Sequence, residues 1–184
     1  MTRRQVRIPP LEEEDWNEEV RDILSKMGQN ERIPNIVRTL ARHPKLLKRW
    51  NVFANHVLHK STLPPREREI LILRIGWLCK SEYEWGQHVL IGKRAGLTGE
   101  EIQRITEGPD APGWSPFDAA LLRAAGELHR DAVVSDSTWN ALAGQYDVRQ
   151  LMDVVFTVGQ YNLVSMALNT LGVQRDPGVP GFLS

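Results

Sequence analysis

The sequence predicts an all-α fold, on three observations. Apolar residues recur at spacings of three and four, prolines fall where helices would start, and no segment alternates as a half-buried strand would. Asp15 stands where it would cap a helix from Trp16 to about Met27, with Val20, Ile23 and Leu24 on one face. Pro34 opens a short segment, Asn35 to Arg42, and Pro44 opens another through Trp50, Phe53, Val57 and Leu58. Pro64-Pro65 opens a third, with Glu67 and Glu69 in the first turns, where the macrodipole favours carboxylates. Ile70 to Cys79 is apolar on nearly every face, and its length without a turn signal favours a buried helix over a buried strand. A segment from about Glu82 to Ala95 stops at Gly96, and Thr98 with Glu101 forms a capping box for a helix to about Thr106. Gly108 to Pro116 reads as a loop, followed by segments Pro116 to Arg130, Asp136 to Tyr146 and Asp147 to Leu171. The tail from Asp176 to Ser184 holds two prolines and two glycines and is expected to be irregular. No internal repeat or low-complexity tract interrupts this order, so residues 1–184 are read as one domain.

Composition narrows the function classes. The 184 residues contain one cysteine, Cys79, so neither an intramolecular disulfide, a CxxC dithiol nor a four-thiolate zinc site can form. Lysine plus arginine and aspartate plus glutamate number 23 each, which leaves no whole-protein field to attract nucleic acid or an anionic membrane. The basic start, Met1-Thr2-Arg3-Arg4, is not followed by an apolar stretch, so no secretory signal is expected. The most apolar window, Leu151 to Leu168, carries Asp153, Gln160 and Asn162, which argues against a membrane span. The expectation is a soluble, cytoplasmic protein with neither a nucleic-acid nor a membrane partner.

Candidate chemistry concentrates between Glu69 and His88. Glu69 shares a helical face with Ile72, Leu73 and Gly76, so it is a carboxylate at the edge of an apolar core and needs a partner or a raised pKa. A helix-start role with Arg66 or Arg68 is the competing assignment. Ser81, Glu84 and His88 fall on one helical stripe, and Glu84 and His88 are four residues apart, close enough for a carboxylate to hold and polarise an imidazole. Such a pair is the minimum for general acid–base work near neutral pH. Tyr161 and Asn162 interrupt the apolar segment Val154 to Leu168 beside Gly159, and a buried Asn must be hydrogen-bonded, to a ligand or across a helix crossing. His56 is a weaker candidate on an earlier helix, while His43, His59 and His129 look solvated. Trp50, Trp77 and Trp139 read as core or interface residues, and Trp85 adjoins the candidate site and is placed to wall it.

These residues carry a resemblance. The stretch from Arg66 to Ile102, about a fifth of the chain, resembles the carboxymuconolactone decarboxylase family, which includes the alkylhydroperoxidase D proteins. The redox branch of that family has the pattern E-x11-C-x2-C-x3-H. Glu69 matches the Glu, Ser81 the first Cys, Glu84 the second Cys and His88 the His, and the run from Ala95 and the closing Asn169 to Val173 extend the match. The resemblance implies an alkylhydroperoxidase D-like helical domain with its motif core at about 64–107, assembled as a homo-oligomer, trimer or hexamer. Both redox cysteines are replaced, and neither a hydroxyl nor a carboxylate can cycle through a disulfide. Cys79, two residues before Ser81, faces elsewhere on a continuous helix and reads as a small hydrophobe.

The expectation is therefore a cofactor-free acid–base lyase, decarboxylase or isomerase acting on a small carboxylated lactone or unsaturated carbonyl compound. His88 is the acid that protonates carbon and Glu84 its orienting partner. Glu69 holds the second side of His88 or carries a second proton. Tyr83, Tyr161 or Asn162 donates to the substrate carbonyl, with Ser81, Trp85 and His56 completing the candidate set. The alternatives are a non-catalytic ligand-binding oligomer, a metal site built from Glu84 and His88 with Glu69 or His56, and a peroxidase resting on Cys79 alone. No strong metal signature is present, so neither a metal nor a cofactor is expected.

Overall fold

In the computed structural model, which describes residues 5–25 and 33–182, the first helix starts on Asn17 rather than Asp15. The acidic run Glu13–Asp15 closes its own 3-10 turn, and the Asn17 side chain accepts the Val20 N–H at 2.9 Å. Helix α1 spans Glu18–Ser25, and the expected end near Met27 lies outside the described residues. Helices α2 (Asn35–Leu40) and α3 (Pro44–Asn55) start beside the two expected prolines. The apolar run beyond α3 does not continue as an α-helix: His56–Lys60 form a π-helical turn, which keeps Val57 buried.

Helices α4 (Pro65–Leu78), α5 (Glu82–Arg94), α6 (Gly99–Glu107), α7 (Pro116–Asp131), α8 (Asp136–Ala143) and α9 (Val148–Leu171) follow the expected order. The Thr98–Glu101 capping box forms in both directions, at 3.1 and 2.8 Å, and Asp147 with Gln150 makes a second one for α9. Helix α8 stops three residues short of Tyr146, whose ring leaves the helix to pack edge-on against Phe117, 4.8 Å between centroids. Among the described residues no strand occurs, and the fold is all-α.

Helix α4 lies at the centre, in contact with α5, α6, α7 and α9. Its residues Ile70, Leu71, Ile72, Leu73 and Ile75 are fully buried, which is why the sequence shows no polar face there. Each such side chain contributes about 1.5–3 kcal/mol on burial. A second cluster joins Val20, Leu24, Val37, Ala41 and Leu47 of the first three helices with Trp16 and Trp50. Tyr83, Val164 and Leu168 link it to the rest through Ile36 and Trp50. Trp77 is half-buried, whereas Trp139 is 42% exposed on α8.

Between α4 and α5 the chain reverses in three residues. Cys79 caps α4, Lys80 takes the left-handed conformation (φ 51°), and Ser81 is the N-cap of α5. The helices then run antiparallel and approach closely through two glycines. A Cβ on Gly76 of α4 would meet Glu84 Cγ at 3.3 Å, and a Cβ on Gly92 of α5 would have Glu69 Cβ at 3.7 Å. Each helix thus supplies a slot beside the other's glutamate.

Among the described residues α9 is the one helix long and apolar enough to cross a membrane, and half of that window is buried inside the fold. Its opposite face leaves Met152, Phe156, Leu163 and Met166 each more than half exposed. Phe156 meets the half-exposed Phe53 of α3 edge-on at 6.1 Å.

Candidate active site

Three helices bring the candidate residues together. Glu69 stands in the second turn of α4, Glu84 and His88 share one side of α5, and Tyr161 comes from the middle of α9. Glu69 is fully buried. Its Oε2 lies 2.7 Å from His88 Nδ1, and its Oε1 accepts from the Arg68 guanidinium at 3.2 and 3.3 Å. Glu69 therefore holds the imidazole and keeps its Arg68 partner at the same time, so the two assignments the sequence left open coexist.

On the other side of the ring, Glu84 Oε1 approaches His88 Nε2 to 3.3 Å, without the alignment of a hydrogen bond. Tyr161 lays its ring edge-on against the imidazole, with centroids 4.8 Å apart. The orienting contact is consequently to Glu69, the shorter and aligned one, and Glu84 is the looser partner.

Burial and charge set the proton affinities. Desolvation pushes Glu84 up to about 7, opposed by His88 and reinforced by Glu69. Burial also penalises the charged form of His88, but Glu69, through charge and hydrogen bond, and Glu84 outweigh it, so the imidazole is raised above its ordinary value. Tyr161 is raised well above the usual phenol range by burial and by the two carboxylates, and stays protonated at neutral pH.

On α5 and α9, three buried polar atoms, Ser81 Oγ at the N-cap of α5, Glu84 Oε1 and Thr157 Oγ1, have no hydrogen-bond partner among the described residues. Thr157, Tyr161 and Ser165 are spaced by four and lie on one buried face of α9. The four-residue spacing of these hydroxyls makes the stripe readable from the sequence, but Thr157 lacks the distinctive chemistry that marks Tyr161 and Asn162 as candidates. Unsatisfied buried groups on this scale carry a cost of about 1–3 kcal/mol each unless a guest satisfies them.

Other sequence candidates lie elsewhere. The Tyr83 hydroxyl donates to Asp176 at 2.6 Å, and Gln87 Nε2 and the Asn35 N–H bind the same carboxylate at 2.7 and 2.9 Å. Asp176 thus pins the tail, expected to be irregular, across α5. Trp85 is buried between Trp77 and Phe182, 5.5 and 5.8 Å away, instead of facing His88. Gly86 permits this: a Cβ there would meet the Pro180 carbonyl oxygen at 2.2 Å. His56 is exposed on the π-helical turn. Asn162 turns to Cys79, whose thiol donates to Asn162 Oδ1 at 3.0 Å. Cys79 packs against the main core as the small hydrophobe expected and also makes this hydrogen bond, with His129 at 3.7 Å from the sulfur. Among the described residues no group of three or more His, Cys, Asp or Glu is arranged to hold a metal ion. Glu69, Glu84 and His88 are each 5% exposed or less, so the acid–base cluster is enclosed, and none of them lines the two surface cavities, of about 800 and 210 Å³, that border Lys80 and Phe182.

The comparisons agree with this architecture. Residues 44–127 match the profile of the carboxymuconolactone decarboxylase family. No curated protein sequence matches the chain. Among solved structures, an alkylhydroperoxidase AhpD core, an uncharacterized peroxidase-related protein from Ralstonia eutropha JMP134, superposes with a TM-score of 0.79 at 19% identity, covering 93% of this chain and 92% of that one. An uncharacterized peroxidase-related protein from Silicibacter sp. TM1040 gives 0.77 at 15% identity over 97% of both chains. The debrominase Bmp8, in a cysteine-to-alanine variant bound to 2,3,4-tribromopyrrole, gives 0.76 at 14% identity, covering 94% and 93%. This chain thus has the helical fold of these solved structures, and residues 44–127, somewhat under half of its length, match the carboxymuconolactone decarboxylase family.

Proposed function

We propose that the protein is a cofactor-free acid–base lyase that decarboxylates a small carboxylated lactone or unsaturated carbonyl compound. The observation that carries this reading is the buried Glu69–His88–Glu84 array, in which one imidazole is held at 2.7 Å by one carboxylate and flanked at 3.3 Å by another. Ser81 and Glu84 occupy the positions of a redox dithiol, so the array offers proton transfer and no disulfide cycle.

In the proposed reaction the C–C bond to the carboxylate breaks and its electron pair passes into the adjacent carbonyl as an enolate while carbon dioxide leaves. Tyr161 O–H and the unpartnered Ser81 hydroxyl donate to the enolate oxygen. His88, protonated because its two carboxylates favour the imidazolium, returns a proton to carbon from Nε2. Glu84, poised near 7, then passes its own proton to His88 and takes another when product leaves, which moves it from orienting partner to proton carrier. Glu69 keeps the ring in register throughout. Exclusion of water from the array favours loss of the carboxylate by removing its hydration.

The exposed apolar residues of α3 and α9 support assembly as a homo-oligomer, within which these faces would be covered. The test of function is carbon dioxide release from a panel of carboxylated lactones and β-keto acids with no thiol added. Release by wild type that collapses in both His88→Gln and Glu84→Gln is expected. Full turnover in His88→Gln would overturn the assignment, and binding of panel members without release would favour a ligand-binding protein.

A further inference from the structure

The zero net charge of the chain conceals two opposed segments. Between Glu12 and Asp22 stand seven carboxylates and one base, Arg21. Between residues 33 and 66 stand seven lysines and arginines and no acid. The acids fall on and around the turn Glu13–Asp15 and on α1, and all seven are exposed. The bases centre on α3, where Lys48, Arg49, Val52 and Phe53 follow Lys45 at three, four, seven and eight residues and share one exposed face with it. Val52 is 72% exposed there, and no helix of the same chain covers it.

Within one chain the two segments hardly neutralise each other. Among the described residues the one ion pair that joins them is Arg38 with Glu12. Lys45, Lys48, Arg49 and Lys60 make no ion pair among those residues. Yet α1 and α3 pack into the same cluster, built on Val20, Leu24 and Leu47, so one group of helices presents both signs.

We infer that this group is a docking surface for a second copy of the chain, with the acidic turn and α1 of each protomer set against the α3 stripe of the other. A surface that carries both signs is self-complementary about a two-fold axis, because each patch then meets its opposite twice. An extended polyanion fits it poorly. The bases that would hold phosphates share their helices with seven carboxylates, and no net charge draws the polymer in. Val52 and Phe53 supply what exposed ion pairs lack. Such pairs contribute little singly and salt screens them, whereas apolar side chains among them add burial and remove water from the charges once covered. The inference is independent of the lyase reading, and it adds a charged contact to the assembly proposed from the apolar faces.

Sedimentation velocity of the full chain tests it, in sodium chloride at about 0.05 and 0.5 M, where charges are screened over very different lengths. The association constant is expected to fall about tenfold at the higher salt. A triple variant Lys45→Glu, Lys48→Glu, Arg49→Glu and a second, Glu13→Lys, Glu14→Lys, Asp15→Lys, should each sediment as a smaller species alone. Mixed in equal amounts, the two should associate. A control carrying Lys93→Glu, Arg94→Glu and Arg149→Glu has the net charge of the first variant and should assemble as wild type does. Circular dichroism of all three should match wild type, which separates a lost contact from a lost fold. Wild type that is monomeric at both salt concentrations would overturn the inference, as would reversed variants that stay apart on mixing. An assembly that both triple variants keep, and that Phe156→Glu alone disperses, would overturn this contact and leave the apolar one standing.

Discussion

Replacing Glu84 by Gln keeps the side chain's shape and removes its titration. In the folded chain burial lifts this carboxyl from 4.5 to about 7. Ionising it there costs about 3 kcal/mol more than in the unfolded chain, at about 1.4 kcal/mol per pH unit between the two values. The folded state holds the proton more tightly, so wild-type stability falls as pH rises from below 4.5 through 7. His88 slopes the same way: its raised folded value gives stability that is complete at low pH and fades as pH passes that value. The Gln variant loses the Glu84 contribution outright and part of the His88 contribution, because Glu84 helps raise the imidazole. Urea titrations of both proteins from pH 4 to pH 8 should therefore show the stability of Glu84→Gln rising relative to wild type by about 3 kcal/mol across the range. A difference that stays constant over those pH values would refute the claim that this carboxyl is destabilised by desolvation.

Three further outcomes are expected. Gly86→Ala places a methyl group against the Pro180 carbonyl and Val179, and should cost about 1–3 kcal/mol, read as a lowered melting temperature. The same variant should shift tryptophan fluorescence to the red, because Phe182 is lifted from Trp77 and Trp85; an unchanged spectrum would count against the packed tail. Phe156→Glu puts a charge into the exposed apolar face of α9 and should reduce the sedimentation coefficient of the proposed oligomer, whereas an unchanged coefficient would place the interface elsewhere.

The helix order was legible because its signals are local. Prolines at α2, α3, α4 and α7, the Thr98–Glu101 box and Gly96 act within one turn of themselves, and nothing distant contradicts them. Asp15 is displaced as the cap because it closes a 3-10 turn with Glu13 and Glu14, and Asn17, an equally good capping residue two positions on, takes the role. At the site, the four-residue spacing fixes Glu84 beside His88, but the shorter contact comes from Glu69 across a helix reversal, a distance that sequence separation does not carry. Tyr161 and Asn162 are adjacent in the chain, yet they differ by about 100° around α9, so one meets His88 and the other Cys79. The role of Asp176 had no local signal at all, since it depends on where the tail is laid.

The paired glycines of α4 and α5 make the placement of the two carboxylates adjustable from outside the array. A methyl group on residue 76 presses first on the Glu84 side chain, at 3.3 Å, whereas one on residue 92 meets Leu97 and Leu73 before it nears Glu69. Interhelical spacing is thereby a gauge with two separate settings, one for the proton carrier and one for the ring holder. Small-residue exchanges at these two positions therefore move the carboxylates while every polar atom of the array is retained.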